Sequence, residues 1–120
     1  MSRPIGEIEL LAELGLLEQD ALNLASTWKS TAVAAADGDA ARVHDVLILD
    51  TCTHELIRTV KALIVRMVKA GFEAEDAGFG RCLALLCAVG EMSVHFAETV
   101  QAAKRVVEIQ REVAAARELH

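Results

Sequence analysis

The stretch Val46–Met67, VLILDTCTHELIRTVKALIVRM, decides the fold. Its residues Val46, Leu49, Thr53, Leu56, Val60, Leu63 and Met67 recur by steps of three and four, the spacing that brings side chains to one face of an α-helix. Asp50, His54, Arg58, Lys61 and Arg66 fall between them, with none of the two-residue alternation that a half-buried strand needs. The stretch reads as one long amphipathic helix.

The same stepping continues on both sides. Upstream, Leu10, Leu14, Leu17, Ala21, Leu24, Trp28, Thr31 and Ala35 form a seam; downstream, Cys82, Leu86, Val89, Ser93, Phe96, Val100, Ala103, Val107 and Ala114 form another. Two breaks separate the three segments. In AAADGDAAR, Gly38 is a helix stop and Asp39 the next N-cap, and in KAGFEAEDAGFGR, Gly71 is a stop followed by acidic residues suited to a helix start. Seams of this kind belong to helices packed at shallow angles, and short connections make neighbours antiparallel. The sequence therefore predicts an all-α fold: a single helical-bundle domain over 1–120, an antiparallel bundle of three long helices at roughly 5–36, 39–70 and 76–119, or four if a segment is broken.

Composition agrees with this and excludes several functions. Hydrophobic residues make up 53% of the 120, aromatic residues 3%, and there is one proline and no tyrosine, a mixture that favours helices over sheets. A net charge of −6 argues against a general nucleic-acid binder, which needs a cationic surface. Cys52, Cys82 and Cys87 have no metal-ligand spacing and read as reduced thiols of a cytoplasmic protein. MSRPIGEIEL lacks the pattern of a secretory leader, and the longest apolar run, CLALLCAVG, is about half of the roughly 20 residues a membrane span requires. Neither nucleic acid nor membrane is expected as a partner.

The third segment would extend about 60 Å if unbroken, against about 45 Å for the second. It must overhang, bend near Gly90, or find a partner in another chain. Around RCLALLCAVG almost no polar face remains, and further on Val106, Ile109 and Val113 form a second stripe turned away from the seam. Three helices cannot hide both surfaces, so a homodimer is expected, with Leu83, Cys87, Val106, Ile109 and Val113 at its interface. The alternative is a first segment that breaks at Gly15 and folds back over this surface.

Candidate chemistry is concentrated in Asp50–Val60, DTCTHELIRTV. At about 100° per residue, Thr53 lies near the centre of the core face, Asp50 and Cys52 on opposite shoulders, and His54 on the Asp50 side. Asp50 and His54, one turn apart, are left as a flank pair able to hold the edge of a metal, poise a proton, or simply form a boundary hydrogen bond or ion pair with each other. With Thr53 they are the candidate ligand-binding residues. Thr31, Thr53 and Ser93 all interrupt seams, where each can bond back to a carbonyl of its own helix as a neutral packing choice, the alternative being that together they line a small polar cavity. Glu91, His95 and Glu98 face outward, no inward set of metal ligands forms, and neither a cofactor motif nor a catalytic constellation is present.

Thr53–Thr59, THELIRT, resembles the phosphoacceptor box of sensor histidine kinases, with Ile57 inserted before the arginine and Val60 where that family has proline. The resemblance covers seven residues and would make His54 a phosphoacceptor. The reading that best fits the chain is a non-catalytic regulatory, adaptor or chaperone-like protein with a protein partner. The alternative is a small-ligand or metal-binding sensor using the Asp50 and His54 flank, and after it a histidine phosphotransfer module.

Overall fold

The computed structural model of the chain describes residues 5–119; residues 1–4, part of the stretch read for a leader, and residue 120 lie outside it. Four helices follow one another, α1 (Ile5–Ala36), α2 (Ala40–Lys69), α3 (Ala77–His95) and α4 (Ala97–Glu118), and no strand occurs among the described residues. α3 and α4 are the two halves of the third segment. α1 runs unbroken through Gly15, so the folded-back alternative is not what forms.

Both tight turns are built by the residues that announce them. At the end of α1, Gly38 has φ +93°, its N–H donates to Ala35 O at 3.1 Å, and Asp39 N donates to Ala34 O at 3.1 Å. This bonding pattern closes a helix on a left-handed residue, where glycine avoids the Cβ clash. The Asp39 carboxylate then accepts from Ala41 N at 3.1 Å and starts α2. At the end of α2 the pattern repeats with Gly71 at φ +94°: Gly71 N donates to Val68 O and Phe72 N to Met67 O, both at 3.0 Å. Phe72 is buried against the same core as Met67, the apolar contact that commonly accompanies this cap.

The core lies in two halves along α2. Toward its C-terminus, Leu56, Val60, Leu63 and Met67 pack against Leu10, Leu14 and Leu17 of α1 and Cys82, Leu85 and Val89 of α3. Toward its N-terminus, Val43, Val46 and Leu49 pack against Trp28 of α1 and Val100, Ala103 and Val107 of α4. The order is up, down, up. Arg66 reaches Glu13 at 2.8 Å and Arg81 pairs with Glu18, so two glutamates of α1 tie down α2 and α3 from the exposed flanks. Such exposed pairs contribute at most about 1 kcal/mol each.

The third segment differs from expectation in two ways. The buried residue is Leu85, with Leu86 only half-buried, and Met92 and Phe96 pack on the core beyond Val89, so the seam takes two successive steps of four, Met92 to Phe96 to Val100. A doubled four-step rotates the buried face away from a strict three-four repeat. The chain is helical through Gly90 and breaks instead at Phe96, whose φ and ψ of −97° and 6° leave the helical region. There the Phe96 ring turns inward and stacks on Trp28, with centroids 4.5 Å apart and planes within 6°. α3 is the one described helix long and apolar enough to cross a membrane, at a mean hydropathy of 1.4. A single helix of this kind, with Cys82, Leu85 and Val89 in the core, does not indicate a membrane protein.

Candidate functional site

Trp28 is the bulkiest residue of the core, and it sets the distance between α1 and α4. Its indole lies flat on Phe96, while its Nε1–H donates to Thr53 Oγ1 at 2.9 Å. The Thr53 hydroxyl in turn donates to Leu49 O at 2.7 Å. Thr53 thus bonds back to its own helix and spends both its donor and an acceptor site on the fold.

Beyond this aromatic spacer the side chains shrink abruptly. α1 continues with Ala32, Ala35 and Ala36, and α4 faces it with Thr99, Ala102 and Ala103. Helices held apart by a tryptophan and a phenylalanine cannot be joined by methyl groups, so an apolar groove of about 220 Å³ opens between α1 and α4, floored by Val43 and Val46. Val106 stands at its mouth, 37% exposed.

α4 then leaves the bundle. Val107 is its last buried residue and packs in the same core half as Val43, only three positions after α2 begins. From Glu108 to Leu119 every residue is exposed, although the helix continues to Glu118. The molecule is accordingly 74 Å long and only 25 by 19 Å across. On the projecting part, Ile109 is 57% and Val113 45% exposed.

The five expected interface residues are all exposed, but they do not share one face. Leu83 follows the buried Cys82 by one residue, whereas Val106 precedes the buried Val107 by one. One-residue offsets of opposite sign lie about 100° to either side of a seam. Val106, Ile109 and Val113 therefore form one stripe on α4, while Leu83 and Cys87 belong to another flank on α3. The groove alanines were not legible as a site, because alanine also occurs wherever a helix is wanted.

Asp50 and His54 are neighbours on the exposed side of α2. His54 Nδ1 is 2.8 Å from the Asp50 carbonyl oxygen and 3.3 Å from its carboxylate Oδ1. Both neighbours accept, so Nδ1 carries the proton, and Nε2 has no bond within the described residues. No cluster of three or more His, Cys, Asp or Glu able to hold a metal forms among the described residues. Glu91, His95 and Glu98 point to solvent; His95 meets the Phe96 ring edge-on at 4.7 Å. Cys82 is buried, and burial first and Glu18 second push its thiol pKa up, while Cys52 and Cys87 are exposed free thiols.

No protein-family model, curated protein or solved structure matches this chain.

Proposed function

We propose that this chain is a non-catalytic interaction protein of the regulatory, adaptor or chaperone-like kind. It acts through the apolar helix faces that its own bundle leaves uncovered, with a second copy of the chain among its partners. The observation that carries this reading is the projecting end of α4, which has no neighbouring helix among the described residues and presents Ile109 and Val113 to water. A lone helix of about a dozen residues is marginal in water, and burying a valine or isoleucine side chain contributes roughly 1.5–3 kcal/mol. A partner supplies both the stability and the cover. Three free thiols fit a cytoplasmic setting.

Affinity capture from the source cells, with the wild-type chain and an Ile109→Glu/Val113→Glu variant, tests this. A protein retained in stoichiometric amount by the wild type, a second copy of the chain included, and lost by the variant supports the reading. Retention of nothing by either chain rejects it.

A second reading rests on the exposed His54, whose Nδ1 is held by Asp50 so that Nε2 faces outward as a ligand for a metal or a small molecule, or as the acceptor of a phosphoryl group. Elemental analysis and mass spectrometry of the untagged protein, beside His54→Ala, decide it. Stoichiometric metal, ligand or acid-labile phosphate that disappears in the variant supports a site, and none in either protein ends it.

A further inference from the structure

We infer that the groove between α1 and α4 is filled by the projecting end of α4 from a second copy of this chain, antiparallel and reciprocal, across a two-fold axis. The inference rests on the interaction reading above and specifies its first partner.

Groove and projection belong to one continuous stripe. Thr99, Ala102, Val106, Ile109, Val113 and Ala116 follow one another by alternating steps of three and four along α4. The first three border the groove, and the last three lie on the bare end of the helix. A helix with such a stripe pairs with another through layers of facing side chains. The surface is self-complementary, as a two-fold interface must be.

Shape selects the orientation. Over Val100–Val107, α4 is packed on α2 and has α1 across the groove, so this half is too thick to enter another molecule's groove. Only residues after Glu108 are bare, and only an antiparallel pairing carries them into the partner's groove. A parallel pairing would place Glu112 beside the partner's Arg117, but it would bring the two thick halves together and leave both grooves without a bare helix.

Charge agrees with the antiparallel register. Aligning the stripes so that Val106 faces the partner's Ile109 also sets Ala102 against the partner's Val113 and Thr99 against the partner's Ala116. Arg105 and Glu112 occupy the same flank of the stripe, seven residues apart. In this register Arg105 lies beside the partner's Glu112, and Glu112 beside the partner's Arg105, so two opposite-charge pairs form about the axis. The alanines of the groove wall allow the incoming helix to approach closely, with Val113 filling the space that the wall leaves.

The register is read by disulfide trapping in the full chain, with Cys52 and Cys87 replaced by serine. Ala102→Cys and Val113→Cys chains are oxidised separately and as a one-to-one mixture. Two copies of the same site would sit about 16 Å apart along the helices, eleven residues at 1.5 Å each, too far for a disulfide, whereas 102 and 113 face each other. The expected result is a covalent dimer from the mixture in several-fold higher yield than from either chain alone. Equal yields from the single chains, as a parallel pairing would produce, or no covalent dimer from any sample, would overturn the inference.

Charge reversal gives an independent measurement. Arg105→Glu and Glu112→Arg should each weaken self-association about tenfold, and the combined Arg105→Glu/Glu112→Arg chain should recover it. Absence of recovery overturns the register. A chain that sediments as a dimer yet fails both tests loses this register and keeps the interaction reading. A chain that is monomeric at 100 μM and retains no protein from cells loses both.

Discussion

Replacing Thr53 by valine keeps the shape of the side chain and removes the acceptor of the Trp28 indole N–H. Both residues are buried, Trp28 at 1% and Thr53 at 0% exposure, so no water takes the acceptor's place. A buried donor left without a partner costs roughly 1–3 kcal/mol. Losing the bond to Leu49 O adds little, because that carbonyl lies in the interior of α2 and keeps its helical partner. Burying a methyl in place of a hydroxyl returns part of the loss, and the net expectation is a destabilisation of about 1–2 kcal/mol. At an unfolding entropy of about 2.1 cal/mol/K per residue, a chain of this length should lose roughly 4–8 °C in Tm. The assay is urea and thermal unfolding followed by circular dichroism at 222 nm, at one fixed protein concentration because association raises apparent stability. Trp28→Phe and the double variant complete a cycle, in which the pair should show a coupling of about 1 kcal/mol. A Thr53→Val protein as stable as the wild type, with effects that simply add in the double variant, would refute the role given to this layer.

Three further outcomes follow from local geometry. Gly38→Ala and Gly71→Ala place a Cβ on residues at φ +93° and +94°, and each should cost about 1–2 kcal/mol in urea unfolding. Asp39→Ala removes the acceptor of Ala41 N and should cost about 1 kcal/mol. For Cys82 the folded thiol titrates above its ordinary value, so the folded state holds the proton more tightly than the unfolded one. Its contribution is fully present below the ordinary thiol pKa and is lost as pH rises through the folded value. Wild type should therefore lose stability faster than Cys82→Ala above about pH 9, and iodoacetamide should label Cys52 and Cys87 in the native protein but Cys82 only after unfolding.

The second helix was legible almost residue by residue. Val46, Leu49, Thr53, Leu56, Val60, Leu63 and Met67, read from their spacing, are the buried face of α2, and Gly38, Asp39 and Gly71 make the turns their chemistry requires. These features depend on local periodicity and local backbone preference, which a sequence states directly. The third segment was harder, because a single helical phase was carried across it. Leu85 takes the core position in place of Leu86, and the break comes not at Gly90 but at Phe96, where the ring stacks on Trp28 of α1.

The candidate surfaces depend on distances between helices, and spacing along one helix does not contain these. Thr53 was recognised as a core hydroxyl, but its partner is the Trp28 indole rather than a polar layer, because α1 and α2 place the two residues opposite each other. The alanines at 32, 35 and 102 become a groove only once Trp28 and Phe96 have set the gap between their helices. Val106, Ile109 and Val113 were legible as a stripe turned away from the seam, whereas their separation from Leu83 and Cys87 required the α3 phase that the structure supplies.

Sedimentation equilibrium of the full chain from 1 to 100 μM, beside the Ile109→Glu/Val113→Glu variant, tests most directly whether the bare end of α4 is an association surface. The expected result is a wild-type mass of twice 12.9 kDa within that range and a variant at 12.9 kDa that keeps the helical spectrum of the bundle, less at most the contribution of the bare end of α4. A wild-type chain that stays at 12.9 kDa throughout, or a variant that dimerises as tightly as the wild type, would contradict it.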